Sequence, residues 1–115
     1  MRLVHSAGGG ERTLANDVET AETTFSRTRG LMFRRSIPDD YALVFRFDEP
    51  KPRDVHMLFV PFPLDVLWLV DGEVVHKKRL RSWVGLGRAT ADTVVELPAG
   101  AADSVETGDL VRLES

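Results

Sequence analysis

The stretch from residue 54 to residue 72, DVHMLFVPFPLDVLWLVDG, constrains the fold more than any other part of the chain. Residues 66–70 are apolar at every position, which is typical of a β-strand that is covered on both faces. The two prolines of the VPFP segment precede this strand and prevent a helix from running into it. Asp71 and Gly72 follow it and favour a type I′ hairpin turn, because both residues tolerate a positive φ. The stretch therefore predicts a buried central strand with a hairpin partner.

Other short runs with apolar or alternating patterns predict the remaining strands. These runs are residues 3–5, 12–15, 41–47, 55–59, 73–80, 93–97 and 110–114. Residues 1–17 are expected to form an N-terminal strand pair with a frayed end, and residues 18–21 to extend its second strand. Residues 48–53, which prolines interrupt, and residues 81–92, which have two glycines and no period, are expected to be loops.

Residues 23–34, TTFSRTRGLMFR, are the best helix candidate. Thr23 can cap the N-terminus, and Phe25 and Met32 recur at helical spacing. Gly30 either ends this helix or permits close packing. The chain therefore predicts a mainly β, α+β fold. It is a small antiparallel or mixed β-barrel-like domain of six to eight short strands, with one main helix at about 23–34 packed on it.

Length and composition narrow the class of protein. The 115 residues fit a single domain spanning 1–115, and the formal net charge of −3 argues against nucleic acid as the main partner. There is no cysteine, so disulfides, thiolate catalysis and cysteine-bound zinc are excluded. No apolar stretch has the length of a membrane span or the features of an export signal. The expectation is a soluble, cytoplasmic protein with no membrane partner, no cofactor and no metal.

Asp65 is a lone carboxylate inside the most apolar stretch, so it must be paired, hydrogen-bonded or shifted in pKa. One interpretation makes it a general base or a ligand for a polar substrate group. The other makes it a structural acceptor for backbone N–H groups left by the two prolines, or the partner of Arg29 or Arg34.

Glu96 ends a predicted strand just before a Pro-Ala-Gly sequence. Together with Asp65 it would form the carboxylate pair of a hydrolase. The alternative is a Glu96 that is solvated or paired with an arginine. His56, with Asp54 two residues earlier and Met57 beside it, is a candidate for proton transfer, but it has no second histidine at metal-ligand spacing.

Two groups of basic residues stand out from the acidic background. The first contains Arg27, Arg29, Arg34 and Arg35, and the second contains Lys77, Lys78, Arg79, Arg81 and Arg88 with Trp83. Basic residues beside an exposed aromatic ring can bind a nucleic acid, although such groups are more often solvated faces.

Three segments together resemble one protein family. They are RTRGLMFRR at 27–35, HMLFVPFPLDVLWLVDGEVV at 56–75 and VVELPAGAADSVETGD at 94–109. This combination resembles the family called domain of unknown function 192, over roughly residues 18–114, and looks like its archaeal-type version. Residues 55–60 depart from the FWMKNT sequence of many bacterial members, so an activity that needs those Lys and Asn side chains would not carry over.

The resemblance implies a compact, mainly β fold with one packed helix, and it supplies no function. It points to candidate site residues, which are Arg29, Met32, Arg34, Met57, Asp65, Glu96 and Gly100. His56 joins them as a ligand-binding candidate from its own chemistry.

The leading hypothesis is a binding or accessory module, and not an enzyme, for a small polar ligand or a protein partner. The binding cleft is expected where residues 29–34 meet residues 61–65, with Asp65 and an arginine orienting the ligand among Met and Phe side chains. The first alternative is a hydrolase- or isomerase-like enzyme that uses Asp65 with Glu96 or His56. The second alternative is a module that binds polyanions through residues 77–88.

Overall fold

The computed structural model describes residues 1–22 and 30–115, which form one mixed β-sheet of eight strands. The strands in chain order are β1 (Arg2–Ala7), β2 (Gly10–Ala15), β3 (Asp17–Ala21), β4 (Tyr41–His56), β5 (Leu64–Val70), β6 (Glu73–Leu80), β7 (Leu86–Pro98) and β8 (Leu110–Glu114). Their order across the sheet is β2-β1-β8-β6-β5-β7-β4-β3. Only β3 and β4 pair in parallel among these neighbours. The prediction of a mainly β fold with a mixed sheet is confirmed.

Strand β5 lies inside the sheet and is buried on both faces, as its unbroken apolar run predicts. Val66 and Trp68 pack on one face, here called the first face, and Leu67 and Leu69 pack on the opposite, second face. The turn after β5 is the predicted hairpin, with a φ of 50° at Asp71 and of 81° at Gly72.

Each face of the sheet is covered by a different part of the chain. Leu31, Met57 and Val60, from the segments that precede β4 and β5, cover the first face. On the second face, residues of β1 and β2, which belong to the same sheet, pack together with the turn at residues 99–105 and with residues of β4, β5 and β7. The two faces therefore form two separate apolar clusters, and a cavity in one is screened from the other by the backbone of the sheet.

The prediction of a long loop at residues 81–92 is wrong, because β7 begins at Leu86 and runs without a break to Pro98. The residues that face inward in this part of β7 are Gly87, Ala89 and Ala91, all of them small. A Cβ atom at Gly87 would lie 2.6 Å from Cη2 of Trp68, so the indole occupies the space that a larger side chain would need. The alternating pattern of a strand is present, but glycine and alanine hide it.

The loop expected at residues 48–53 is also replaced by a strand, since β4 extends from Tyr41 to His56. The pairing of β4 with β7 shifts register between Arg46 and Lys51, which accommodates the proline-rich segment as an irregularity of the strand. Residues 18–21 do not extend β2, because they form β3 at the opposite edge of the sheet.

The helix predicted at 23–34 lies mostly outside the described residues. Its described part, residues 30–34, forms a turn, and Gly30 has a φ of 52°, which an α-helix does not contain. Within the described ranges the sheet ends at β2 and β3 and does not close into a barrel. No helix among the residues that the structure describes is long and apolar enough to cross a membrane.

Candidate functional site

A cavity of about 380 Å³ opens on the first face of the sheet. Val94 and Glu96 of β7 line it together with Phe45 of β4, and Gly30 and Leu31 contribute from the segment before β4. The second half of β4 supplies the opposite wall, because the strand changes register after residue 46 and residues 52–56 turn toward the cavity. The site therefore depends on the irregularity in β4.

Glu96 is the buried acid of this cavity, and its side chain is only 6% exposed. It faces Leu43 on one neighbouring strand and Val66 on the other, so its lateral neighbours are apolar. Among the described residues it forms no hydrogen bond or ion pair. Burial without a compensating partner raises the pKa of Glu96 from 4.5 to about 8. At neutral pH the group is therefore a neutral carboxylic acid that can donate a hydrogen bond.

The position of Gly30 brings the backbone close to this acid. A Cβ atom at position 30 would lie 3.8 Å from Oε1 of Glu96 and 3.3 Å from Cζ of Phe45. The absence of a side chain thus keeps space open beside the carboxyl group. The positive φ at this position also favours glycine over other residues.

Arg53 forms a rigid part of the cavity wall. Its Nε donates to the carbonyl oxygen of Ala91 at 3.1 Å, and its Nη2 donates to the carbonyl oxygen of Glu49 at 2.7 Å. The guanidinium also lies 3.7 Å from the centre of the Phe47 ring, at cation–π distance. These contacts hold the irregular part of β4 in place, so Arg53 supports the cavity shape.

Two exposed residues lie at the rim of the cavity. His56 ends β4 and lines the cavity from the solvent side. Asp54 also lines it and forms an ion pair with Arg88 at 3.0 Å. No group of three or more residues suited to metal binding occurs within residues 1–22 and 30–115.

Asp65 lies on the second face, where it is buried and fully hydrogen-bonded. Its Oδ1 accepts a hydrogen bond from Nε of Arg79 at 2.7 Å, and its Oδ2 accepts one from Nη2 of Arg79 at 3.3 Å. Its Oδ2 also accepts hydrogen bonds from the N–H groups of Gly100 and Ala102, at 3.0 and 3.1 Å. The sequence suggested a structural acceptor of this kind, but with other partners. The N–H groups come from the turn at residues 99–105 and not from the proline segment, and Arg79 takes the place expected for Arg29 or Arg34.

The carboxylate pair of Asp65 and Glu96 is therefore not formed. Across the β5–β7 ladder Asp65 is opposite Leu97 and Glu96 is opposite Val66, so the two acids project from opposite faces of the sheet. His56 lines the first-face cavity, so Asp65 does not share a site with it either. The enzyme hypothesis required Asp65 next to Glu96 or His56, and neither arrangement is formed.

The other predicted site residues have separate placements. Met32, His56 and Glu96 line the cavity, and Met57 is buried in the apolar cluster beside it. Arg34 forms an ion pair with Glu19 at 3.3 Å and lies over the Tyr41 ring. Arg29 lies outside the described residues. The expected cleft between residues 29–34 and 61–65 is represented in part, because Gly30, Leu31, Met32 and Leu64 all line the cavity.

Most basic side chains of residues 77–88 are bound within the protein. The ammonium of Lys77 donates to two carbonyl oxygens of the 102–105 turn, and Lys78 donates to that of Leu86. Arg79 pairs with acids on the second face, while Arg88 pairs with Asp54 at the cavity rim. These side chains do not form one continuous cationic strip, which argues against the polyanion hypothesis.

Phe47, Arg53 and Val94 are cavity residues that the sequence reasoning missed. The alternation of residues 41–47 placed Phe45 and Phe47 on the buried side of a strand, which was the available signal for an apolar wall. Nothing comparable marks Arg53, because its role follows from the irregular register of β4.

The fold and the cavity define a small β-sheet protein with a buried acid on one face of its sheet that has no partner among the described residues. The model of the domain of unknown function 192 family, described as Uncharacterized ACR, matches residues 4–113. The chain belongs to this family.

Two archaeal relatives are similar to this chain over most of its length. The chain is 35% identical over 103 residues to a UPF0127 protein of Thermococcus sibiricus, covering 84% of this chain and 66% of the relative. It is 33% identical over 98 residues to a UPF0127 protein of Thermococcus gammatolerans, covering 82% and 64%. The chain thus spans just under two thirds of the length of these archaeal relatives.

Two crystal structures have the same fold. One is a protein of unknown function from Novosphingobium aromaticivorans, with a TM-score of 0.85, 22% identity, and coverage of 97% of this chain and 84% of that one. The other is a Sinorhizobium meliloti protein named as a candidate transcription regulator. It has a TM-score of 0.81, 26% identity, and coverage of 96% and 91%.

Proposed function

We propose that the protein is a binding module for a small, largely apolar molecule that carries one hydrogen-bond acceptor, such as a carbonyl oxygen. The observation that supports this is Glu96, a buried acid without a described partner that lines a cavity with apolar walls. A buried polar group normally has a hydrogen-bond partner, and an unpaired one in an open cavity is a candidate for ligand recognition.

The protonation state of Glu96 indicates the class of ligand. With a pKa raised to about 8 by burial, the acid is protonated at pH 7 and donates a hydrogen bond. A neutral acceptor satisfies this donor without leaving a buried charge. An amine is less suitable, because Arg53 lines the same cavity and forms no ion pair with an acid among the described residues, whereas the carboxylate of Asp54 is already paired with Arg88.

The volume of the cavity limits the size of the ligand. At about 380 Å³ it falls at the lower end of the range for small-molecule sites, roughly 300–1,000 Å³. The apolar walls, which include Leu31, Phe45, Val60 and Leu64, would contribute most of the affinity, and Glu96 would fix the orientation of the ligand.

The test uses two matched series of probes, small aromatic ketones and aromatic amines of the same size. Binding is followed by ¹H–¹⁵N amide shifts at several pH values from 6 to 9. We expect ketones to shift the amide signals of Gly30, Val55 and Glu96. We also expect their affinity to fall as the pH rises through 8, where Glu96 loses its proton.

The variant Glu96→Gln keeps the shape of the protonated acid and a hydrogen-bond donor, so it should bind ketones with no pH dependence over this range. The variant Glu73→Gln changes an exposed glutamate outside the cavity and should behave like the unmodified protein. Amide shifts that occur only with amines, or a ketone affinity that has the same pH dependence in Glu96→Gln as in the unmodified protein, would contradict the proposed ligand class.

Proton transfer is a second candidate function, and one observation favours it. Glu96 and His56 line the same cavity, one buried and one at the rim. Two titratable groups in such different surroundings can serve as an acid and a base. A search for exchange of α-protons in bound ketones would test it, and equal exchange rates in unmodified protein and Glu96→Gln would eliminate this role.

The single domain over residues 1–115 and the cytoplasmic location stay predictions, as does a role for a protein partner. The activity of the longer relatives is likewise a separate question, because the chain spans only 64–66% of their length.

A further inference from the structure

Three segments at one end of the sheet expose large apolar side chains to solvent. They lie before β4, before β5, and at the β6–β7 connection. We call this surface the loop patch, and it consists of Phe33, Leu58, Phe59, Trp83, Val84 and Leu86. Five of the six side chains are more than half exposed, up to 74% at Val84. Single exposed apolar residues are ordinary, but a contiguous group marks an interaction surface.

Backbone hydrogen bonds bring the three segments together. The N–H of Phe33 donates to the carbonyl oxygen of Phe59 at 2.9 Å, and the two rings stack with centroids 4.9 Å apart. The N–H of Trp83 donates to the carbonyl oxygen of Val60 at 3.0 Å. The aromatic residues of the loop patch are therefore held as a unit.

The backbone holds these aromatic residues in an unfavourable conformation. The φ angle is 70° at Phe33, 60° at Phe59 and 68° at Trp83. Bulky L-residues rarely adopt positive φ, and such strained positions concentrate at binding sites. Glycine would fit all three positions without strain, yet the chain has its largest apolar side chains there.

The charge around the loop patch differs from that of the rest of the chain. Segments 30–36, 56–64 and 80–88 contain four arginines and no aspartate or glutamate, although the whole chain has a net charge of −3. Two of these arginines are paired with carboxylates from other segments. The three segments themselves thus contribute cations and no negative charge to this surface.

The other two arginines, together with Lys78 of β6, give the loop patch a positive field. Arg35 and Arg81 are exposed and form no ion pair within the part of the chain that the structure describes. The ammonium of Lys78 donates to the carbonyl oxygen of Leu86 at 2.7 Å, which adds a charge beside an apolar patch residue. Apolar side chains with cations around them match the chemistry of an anionic lipid surface.

We propose that the loop patch binds the surface of an anionic membrane, with Trp83 at the level of the lipid headgroups. The exposure of these side chains favours a membrane surface over a peptide as the partner. Residues more than half exposed protrude from the protein and can enter a soft lipid surface, whereas an amphipathic peptide needs a groove that would shield them. This inference depends on the exposed residues and their charge, and not on the cavity or on Glu96.

Vesicle binding provides the test. The full chain is mixed with vesicles of phosphatidylcholine alone, or with 30% phosphatidylserine, and bound protein is measured by sedimentation. Trp68 is fully buried and Trp83 is 54% exposed, so a blue shift of the tryptophan emission on binding reports mainly on Trp83. We expect binding and a blue shift with the anionic vesicles, and weaker binding at higher salt because charge attraction is screened.

Matched variants distinguish binding through the loop patch from nonspecific adsorption to vesicles. Leu86→Ser should weaken binding about tenfold, because one apolar side chain no longer enters the lipid. Leu110→Ser changes a similarly exposed leucine at the opposite end of the β5–β6 hairpin and should leave binding unchanged. Arg81→Gln should weaken binding about fivefold, while Arg12→Gln on β2 should not.

Several results would overturn the proposal. One is the absence of binding to both kinds of vesicle, which would leave an acidic segment of another protein as the occupant. Equal losses in Leu86→Ser and Leu110→Ser would show that the loop patch is not the contact surface. Binding without any change in the emission of Trp83 would likewise contradict its place in the lipid.

Discussion

Replacing Glu96 with glutamine should change how stability depends on pH. Burial raises the pKa of Glu96 from 4.5 to about 8 in the folded protein, so between these values the folded state binds a proton that the unfolded state lacks. The corresponding stability is fully present below pH 4.5 and is lost as the pH rises to 8. At about 1.4 kcal/mol per pH unit, the whole interval corresponds to a loss of about 5 kcal/mol.

Urea unfolding at half-unit steps from pH 5 to pH 9 measures this effect. Trp68 is completely buried and provides the fluorescence signal for unfolding. The unmodified protein should lose stability steadily up to about pH 8, whereas Glu96→Gln should change much less. The difference between the two curves isolates Glu96 from the other titrating groups.

A control variant, Glu73→Gln, replaces an exposed glutamate and should retain the pH dependence of the unmodified protein. If the unmodified protein and Glu96→Gln keep the same free-energy difference from pH 5 to pH 8, Glu96 is ionised throughout. The argument from burial would then be wrong, and with it the hydrogen-bond donor of the proposed site.

Two further substitutions test the structural roles assigned above. Asp65→Asn should lower the free energy of unfolding by about 2 kcal/mol, because Arg79 and the N–H groups of two turn residues lose a buried charged acceptor, and urea unfolding would measure the loss. Gly87→Ala should cost about 2 kcal/mol, since the new methyl group overlaps the Trp68 indole. It should therefore lower the melting temperature by roughly 10 °C.

Each of these has a control in the same chain. Asp54→Asn breaks the exposed ion pair with Arg88 and should cost less than about 1 kcal/mol, so equal losses at positions 54 and 65 would contradict the buried role of Asp65. A Cβ atom at Gly10 meets nothing closer than 3.8 Å. Gly10→Ala should therefore leave the melting temperature nearly unchanged, and an equally large decrease there would remove the steric explanation for Gly87.

The strands that the sequence predicted correctly are those with large apolar residues. Residues 66–70 are apolar at every position, and β5 is buried on both faces. The first half of β7 escaped prediction because Gly87 and Ala89 keep the period of a strand without its hydrophobicity. Its small residues make sense only once Trp68 is seen to lie against them, and that contact joins segments far apart in sequence.

The sequence identified individual residues of the candidate site, but it did not show which of them lie together in the fold. Glu96 was singled out from its position at the end of a strand, and Asp65 from its apolar surroundings. Which acids share a face depends on the register between β5 and β7, where a shift of one residue would exchange the faces. Neither strand carries that register in its own sequence, so the pairing of Asp65 with Glu96 was a reasonable but wrong interpretation.

The pairing of β1 with β8 has a consequence for the order in which the chain can fold. Arg2 of β1 pairs with Glu114 of β8, so β1 cannot pair with this neighbour until more than a hundred further residues have been synthesised. Until then, the β1–β2 hairpin has no β8 to pair with, while β4 to β7 can already assemble around Trp68. Sheets that depend on pairings between strands so far apart in sequence fold slowly, on the scale of milliseconds to seconds. The β1–β2 hairpin should therefore be the last part to dock during synthesis and the most exposed to mispairing while it waits.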